Sequence, residues 1–227
     1  EEDFSFGGRL NVENYEVDGK PGHLWVKERI SELLEMENVR CMVRTTVTGA
    51  YDGGTYGAVQ RVSHHISEKI EFSPIETFWR IVAKGVVYSA GAIERSIAFQ
   101  NNDRPGVVMA SAARAYVNRY GVSFGQKAII FGNNNDAFNT AKDLQSAGIE
   151  VVAYVDSRVS AEIVGDFPIF KGAQVTNVRG RMGVKSIEIK TRQGSKQILF
   201  ADFLAISGGW NPTVHLTCHM NGRPQWN

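Results

Sequence analysis

The chain has 227 residues, which is enough for one large domain or two modest ones with a substantial hydrophobic core. Its 25 basic and 24 acidic side chains leave a formal charge of +1, so composition gives no reason to expect nucleic acid or an anionic membrane surface as a partner. No apolar stretch approaches the ~20 residues that a membrane helix requires, and the N-terminal EEDFSFGG lacks the pattern of a secretory signal.

The two cysteines, Cys41 and Cys218, form no CxxC motif, and a cytoplasmic protein with reduced thiols is the expectation. The chain begins on an acidic pair shortly before a glycine pair, with no strand ahead of it, and ends at GRPQWN without a closing element. We therefore expect a fragment of a longer protein, truncated at both ends.

The first half contains one predicted helix and four predicted strands. The helix, at about 23–36, has an apolar face formed by Leu24, Ile30, Leu33 and Leu34. Alternating or β-branched residues predict the strands at 39–47, 58–66, 77–83 and 85–89. The last of these strands stops on three small residues, Ser89, Ala90 and Gly91.

A helix predicted at about 109–120 precedes the most informative stretch of the chain. There an apolar strand at 128–131 is broken by Gly132, a helix at 135–147 presents one apolar face, and a second strand at 151–155 closes on Asp156. This order of strand, tight turn, helix, strand and acid predicts the first βαβ unit of a dinucleotide-binding domain.

The glycine fingerprint of that unit is degenerate. Its three positions hold Gly132, Asn134 and Ala137, and Asp156 follows at close to the ~20-residue spacing of a ribose-binding acid. The middle glycine normally lets a pyrophosphate approach the backbone, so a side chain at Asn134 puts nucleotide binding in doubt. Capping of the following helix by the asparagine run is favoured over phosphate binding.

The rest of the second half repeats the plan of the first. Strands are predicted at 174–178, 184–190, 197–200 and 202–206, and the last one stops on Ser207, Gly208 and Gly209. Each half therefore has a small antiparallel excursion that returns to a buried parallel strand. The pattern predicts an α/β protein, with helices on both faces of a mostly parallel sheet and two Rossmann-like domains, the second inserted in the first. The predicted bounds are 1–120 for the first dinucleotide-binding domain, 121–208 for the second, and 209–227 for a return segment toward the first.

This order of motifs resembles the two-dinucleotide-domain flavoprotein superfamily, which includes the glutathione and thioredoxin reductases. Within it, four segments are similar to the α subunits of heterotetrameric sarcosine oxidases: VVYSAGAIER, NNDRPGVVMASAARAYVNRYG, GNNNDAF and SGGWNPTVHLTCHMNGRPQWN. Their joint occurrence in this order is more specific than any one motif, and together they span most of the chain.

The resemblance implies a multisubunit oxidoreductase that demethylates sarcosine oxidatively to glycine, forms hydrogen peroxide and passes the one-carbon unit to tetrahydrofolate. It implies NAD in the first domain of this subunit, FMN at an interface with the β subunit, and FAD in the β subunit. The β, γ and δ subunits are then the partners, and tetrahydrofolate binds a C-terminal domain that this chain lacks. The isolated segment is expected to be inactive, contributing NAD binding and part of an FMN interface.

The same resemblance assigns the NAD contacts to Glu2, Gly7, Gly8, Arg9, Ala90 and Gly91, with Ser89 in the same motif, and the chemistry of its loop adds Arg104 as a further candidate cofactor contact. From the residues alone, Glu2 is either a ribose-binding carboxylate or an exposed terminal acid. The glycines either admit a ligand or form flexible or tightly packed segments. Arg104 either contacts a phosphate or a flavin edge, or pairs with a neighbouring acid such as Asp103. No catalytic residue is predicted, and His215, Cys218 and His219 lack a further ligand at zinc-finger spacing, so no metal site is predicted.

Three other functions give distinguishable expectations. A stand-alone NAD(P)H-dependent flavin reductase predicts a redox dithiol or an intact second glycine fingerprint, and the sequence has neither. A non-catalytic assembly module predicts no bound nucleotide even in the full-length protein. The α subunit of a related amino-acid or amine dehydrogenase complex shares the same module and differs in substrate.

Overall fold

The computed structural model describes residues 1–68 and 70–225. Contacts divide the chain into two compact units. The first unit contains Glu1–Leu10, Glu16–Gly91 and the residues from Pro212 onward, and the second contains Asn11–Tyr15 and Ala92–Asn211. The last two residues of the predicted return segment, Trp226 and Asn227, lie outside the described residues.

The structure contains both helices and strands, as the predicted α/β class requires. In chain order they begin with β1 (Glu16–Val17), β2 (Lys20–Pro21), α1 (Gly22–Leu34), β3 (Thr45–Tyr51), β4 (Thr55–Arg61), β5 (Glu76–Val82), β6 (Ala92–Glu94) and β7 (Val107–Met109). They continue with α2 (Ala110–Tyr120), β8 (Lys127–Gly132), α3 (Asn135–Ser146), β9 (Glu150–Asp156), β10 (Ile169–Lys171), β11 (Gln174–Arg179), β12 (Ser186–Lys190), β13 (Lys196–Phe200), β14 (Phe203–Ser207), β15 (Trp210–Pro212) and α4 (His215–His219).

The first unit contains the antiparallel sheet β3-β4-β5. The strand predicted at 77–83 is confirmed by β5, whereas the strands predicted at 39–47 and 58–66 are displaced, because β3 begins at Thr45 and β4 at Thr55. The turn at Asp52–Gly54 causes the displacement. Gly53 and Gly54 both have φ of +68°, a conformation that favours glycine, and this turn decides which residues of β3 and β4 pair.

The strand predicted at 85–89 is wrong. No strand of the described residues pairs with this segment, and Val87 is 90% exposed. Apolar β-branched residues suggested a buried strand, but a strand is stable only where a neighbour takes up its backbone hydrogen bonds. The helix predicted at about 23–36 is confirmed as α1.

The second unit contains a five-stranded parallel sheet in the order β10-β9-β8-β14-β7. The strand, helix and strand predicted in 128–155 are confirmed by β8, α3 and β9. Helices α2 and α3 cover one face of this sheet, where Phe138 and Leu144 pack against Ile130 and Tyr154. Strand β7 joins this sheet beside β14 and belongs, with Ala92–Asn211, to the second unit.

The other face of the parallel sheet is covered by the antiparallel sheet β11-β12-β13, not by the helices predicted there. Alternation along these strands places Val178, Ile187 and Ile189 on the face that packs against Ile129 and Leu204. The strands predicted in 174–206 are therefore confirmed, with shifts of a few residues at their ends. Each half of the chain contains a three-stranded antiparallel sheet, as the sequence repeat predicted. Among the described residues, none of the helices has the length and apolarity to cross a bilayer.

Candidate functional site

The carboxyl edge of the parallel sheet contains a topological switch point. After β8 the chain moves through α3 to β9 on one side, whereas β14, which returns after the antiparallel excursion, lies on the other side of β8. Gly132 and Ser207 pair at the ends of β8 and β14. In doubly wound sheets the crevice outside these strand ends is where ligands bind.

Two of the three fingerprint positions keep their packing role. A Cβ placed on Gly132 would lie 2.5 Å from the Cβ of Ala137 and 3.2 Å from the Ser207 carbonyl oxygen, so only glycine fits where β8 meets α3. Ala137 is itself buried in the helix–sheet core. The strand-to-helix turn of a dinucleotide-binding unit is therefore preserved at Gly132 and Ala137.

The middle position does not keep the role of glycine. The Asn134 side-chain oxygen accepts a hydrogen bond from the Ala137 amide at 3.0 Å, which confirms the predicted cap of α3. Its amide nitrogen donates to the Ser207 carbonyl at 3.2 Å and lies 3.1 Å from the Ser207 hydroxyl. The Asn134 carboxamide therefore connects the first turn of α3 to the end of β14.

The acid at the end of β9 is completely buried and paired within the chain. Both oxygens of Asp156 accept hydrogen bonds from the Arg158 guanidinium, at 3.0 and 2.8 Å, and the Arg158 amide donates to one of them at 2.8 Å. The Tyr154 hydroxyl lies 3.3 Å from Asp156 and donates to the Asn134 carbonyl at 3.1 Å. Burial, reinforced by the Asp156 carboxylate, raises the pKa of the Tyr154 phenol. Sequence reasoning missed Arg158 and Tyr154.

A buried arginine on α2 lies at the centre of a charged network that sequence reasoning also missed. Arg114 is 5% exposed, and its guanidinium pairs with Asp143 at 2.7 Å, with Asp136 at 2.9 Å and with Glu13 at 3.7 Å. Asp136, in the first turn of α3, also accepts a hydrogen bond from the Trp210 indole at 2.9 Å. The available signal was an arginine in register with Ala110 and Ala113 on the buried face of a predicted helix.

Seven of the eight predicted cofactor-contact residues lie in the first unit. Its acidic N-terminal segment, residues 1–3, lies beside the residues that lead into β3. The Glu1 amino group donates to the Met42 carbonyl at 2.9 Å, and the amides of Arg44 and Thr45 donate to carbonyls of the segment 1–3 at 2.8 Å. The side chains of Glu2 and Arg9 are exposed. Glu2 also accepts a hydrogen bond from Arg61 through its carbonyl oxygen at 3.0 Å.

The glycine-rich motifs of the first unit have free space beside their backbone, whereas the fingerprint of the second unit is occupied by side chains. Ser89, Ala90 and Gly91 are exposed, and Gly91 has φ of +68°. A Cβ placed on Gly91 or on Gly8 would meet no atom of the described residues within 4 Å. Gly7, φ +123°, precedes Gly8 in a backbone conformation that favours glycine.

Arg104, the eighth predicted contact residue, lies in the second unit. Its guanidinium donates to the Gly180 carbonyl, and its Nε is buried without a hydrogen-bond partner among the described residues. The arginine fastens the 101–106 loop to the turn between β11 and β12.

The histidine and cysteine cluster near the C-terminus forms α4, and there the His219 ring nitrogen accepts a 3.4 Å hydrogen bond from the Ala50 amide. The described residues contain no group of three or more side chains arranged to hold a metal ion.

A parallel sheet with this switch point, together with an antiparallel sheet in each half, defines an α/β fold of the dinucleotide-binding kind. The structure is similar to L-proline dehydrogenase from P. horikoshii, with a TM-score of 0.72 and 22% identity over 100% of this chain and 40% of that one. It is also similar to the thioredoxin reductase of T. acidophilum, with a TM-score of 0.67 and 14% identity over 95% of this chain and 69% of that one. At these identities the likeness shows the fold.

Sequence similarity identifies the particular protein family that the motifs suggested. The chain is 41% identical over 222 residues to the sarcosine oxidase subunit alpha of Rhizobium meliloti (strain 1021), covering 97% of this chain and 22% of that protein. It is 35% identical over 235 residues to the subunit alpha of Corynebacterium sp. (strain P-1), covering 97% and 24%. The chain is thus a homologue of one segment of sarcosine oxidase α subunits and spans less than a quarter of these curated relatives. No protein-family model matches it.

Proposed function

We propose that the chain is the nucleotide-binding segment of a sarcosine oxidase-type α subunit and acts within a multisubunit oxidoreductase. The observation that carries this proposal is the 41% identity to such a subunit along 97% of the chain. In the assembled enzyme, sarcosine, dioxygen and tetrahydrofolate give glycine, hydrogen peroxide and the folate-bound one-carbon product. We assign this chain a binding role in that assembly.

The first unit is the proposed NAD site, and its residues fit a dinucleotide. The exposed Glu2 carboxylate offers two acceptor oxygens to the ribose hydroxyls, and Arg9 offers a cation for the phosphates. Gly7, Gly8 and the segment Ser89–Gly91 supply backbone that a ligand can approach, since the positions beside Gly8 and Gly91 are open. NAD bound there is assigned a structural role and no hydride transfer.

The second unit is the proposed neighbour of the flavin. Arg104 lies in the 101–106 loop of this unit, and a planar guanidinium is suited to a phosphate or a flavin edge, so we assign Arg104 to the FMN-facing wall. FAD and the amine-oxidising site are assigned to the β subunit, with γ and δ as further partners. Tetrahydrofolate is assigned to the part of the α subunit that this chain does not include.

The test compares the nucleotides held by the wild-type complex with those held by two matched glycine variants. The full-length α subunit is expressed with its presumed partners, the purified complex is denatured, and the released nucleotides are identified by chromatography and mass. We expect NAD alongside FAD and FMN. Gly91→Val places a branched side chain at the proposed site, and we expect NAD to fall at least tenfold while both flavins remain.

Gly19→Val is the control variant. Gly19 also lies in the first unit, has φ of +73° and has no described atom within 4 Å of a Cβ, so the substitution introduces the same backbone strain at a turn without proposed ligand contacts. Equal loss of NAD in both variants would contradict the site assignment. FAD or ATP in place of NAD would favour a related dehydrogenase complex, and release of the partner's flavin alone would favour a non-catalytic assembly module.

A further inference from the structure

The switch point of the second unit has the geometry of a ligand site, but three side chains of the chain itself occupy the positions where a dinucleotide makes its contacts. In this fold the pyrophosphate lies on the backbone at the middle glycine, its charge faces the helix N-terminus, and the ribose bonds to the acid after the second strand. Each of these three positions is filled differently.

Asn134 fills the position of close backbone approach. Its carboxamide uses both ends, because the oxygen accepts from the Ala137 amide while the nitrogen donates to the Ser207 carbonyl. These bonds satisfy an amide of the first turn of α3 and a carbonyl at the end of β14. A pyrophosphate that displaced the side chain would accept the hydrogen bond of the Ala137 amide in its place, but it has no donor for the Ser207 carbonyl, which would lose this partner.

Asp136 fills the position of the anion. It lies in the first turn of α3, where a carboxylate interacts favourably with the helix dipole, and it pairs with both Arg114 and the Trp210 indole. A phosphate brought to the same helix end would face this negative charge in a partly buried setting, where like charges repel strongly.

Asp156 is unavailable to a ribose. Its two oxygens are taken by the fork of the Arg158 guanidinium, and the carboxylate is fully buried beneath it. A charged bidentate pair of this kind is among the stronger hydrogen-bonded contacts in proteins, so exchanging it for two ribose hydroxyls is unfavourable.

A distant segment of the chain, the strap, defined as residues Asn11–Tyr15, contacts α2 and is connected to the filled edge through Arg114. Glu13 of the strap lies 3.7 Å from Arg114, the cation that pairs with Asp136. The Asn118 side chain donates to the Val12 carbonyl and to Asp143, both at 3.0 Å. The same charged network therefore connects α3 to the strap and, through Trp210, to β15.

We propose that the carboxyl edge of the second unit is a self-filled site that takes no dinucleotide and serves as the anchor of the strap. Asn134, Asp136 and the Asp156–Arg158 pair occupy the places of backbone approach, phosphate and ribose. The inference does not depend on NAD binding by the first unit, since it rests on contacts within the second unit only.

Amide hydrogen exchange of the chain, with and without millimolar NAD, tests the first half of the proposal. We expect peptides covering 132–138 and 154–158 to exchange at the same rate in both conditions. NAD-dependent protection there, by threefold or more, would overturn the self-filled site. Protection at 1–9 and 88–91 reports separately on the proposed NAD site, so the failure of one idea is distinguishable from the failure of the other.

The variant Asp136→Asn tests the anchor. It weakens the pairing with Arg114 while keeping the shape of the side chain, and we expect amides of the strap to exchange about tenfold faster. Asp103→Asn, an exposed acid of the same unit, is the control and should leave the strap unchanged. Unchanged exchange of the strap in Asp136→Asn would refute the anchor. If that variant does not fold, Trp210→Phe removes the indole hydrogen bond to Asp136 and should accelerate amide exchange at Trp210 and Asn211, and no acceleration there counts against the network.

Discussion

The two compact units differ in how many apolar side chains they bury. In the second unit, both faces of the parallel sheet are covered by buried clusters that include Ile130 and Leu144 on one side and Ile129 and Ile187 on the other. In the first unit, the buried apolar residues among those described are few, and two of the four are alanines: Val26, Ala50, Tyr56 and Ala58. The unit with the larger core has the filled switch point, and the unit with the smaller core has the open glycines.

This difference teaches that the dinucleotide-binding fold and the dinucleotide-binding site are separable. Gly132 and Ala137 keep the geometry of the strand–helix turn because packing requires it, whatever binds there. Asn134 and Arg158 then fill the edge with contacts that add to the stability of the unit. An open site cannot gain such contacts, since the groups that bind a ligand have to stay exposed until it arrives.

The largest expected effect comes from the buried charge network. Replacing Arg114 with Met removes the buried cation that pairs with Asp143, Asp136 and Glu13, and we expect the second unit to lose about 3–5 kcal/mol in free energy of unfolding. Arg29→Met in α1 is the matched control, because its pair with Glu32 is exposed and should contribute less than ~1 kcal/mol. Unfolding is measured by urea titration, with hydrogen exchange of the amides of β8 reporting on the second unit and that of β4 reporting on the first. Equal losses in the two variants would contradict the difference between the units.

A second comparison concerns leucines in the last turns of two helices. Leu144 of α3 is fully buried against the parallel sheet, so Leu144→Ala should cost about 2–5 kcal/mol in free energy of unfolding. Leu34 of α1 is 63% exposed, so Leu34→Ala in the same chain should change stability by about 0.5 kcal/mol or less. The same urea titration measures both. A cost for Leu34→Ala near that of Leu144→Ala would show that α1 is packed in solution.

The same contrast explains what could be predicted from the sequence. The β8–α3–β9 unit was predictable because its apolar periodicities arise from burial within its own unit, and the cap at Asn134 was predictable because residue type favours it. The strand expected at 85–89 carries an equally apolar pattern but has no neighbouring strand in the described chain, so the pattern misled. Pattern alone cannot distinguish these two situations.

The charged network around Arg114 could not be predicted, for a different reason. Its acids come from the strap and from two turns of α3, and no local pattern connects Glu13 to Asp143. The fork of Arg158 on Asp156 depends in turn on how the chain bends after β9. Residue types suggested a ribose-binding acid at Asp156, and the short contact with Arg158, two residues later, is what changes its role.

The smallest expected effect is on how stability depends on pH and salt, and it should differ between two carboxylates, Asp202 and Glu28. The amides of Gln126 and Lys127 donate to Asp202 at 2.8 and 2.9 Å, and these backbone hydrogen bonds hold the pKa of Asp202 below its ordinary value of 3.8. In the first unit, a hydrogen bond from Lys20 to Glu28 likewise lowers the pKa of Glu28. Both carboxylates therefore stabilise the fold above their ordinary pKa, and that stabilisation is lost as the pH falls through the lowered pKa.

Salt should separate the two contributions. The Lys20–Glu28 pair is exposed, so high salt screens it, whereas the partners of Asp202 are neutral amides at fixed positions that salt affects little. Asp202→Asn should therefore flatten the acid limb of the unfolding curve at both low and high salt, and Glu28→Gln should flatten it only at low salt. Urea midpoints between pH 2 and 6 at two ionic strengths, roughly 0.02 and 1 M, measure this. If Asp202→Asn flattens the acid limb only at low salt, as Glu28→Gln should, the prediction is wrong. The backbone hydrogen bonds to Asp202 would then be as sensitive to salt as the exposed Lys20–Glu28 pair.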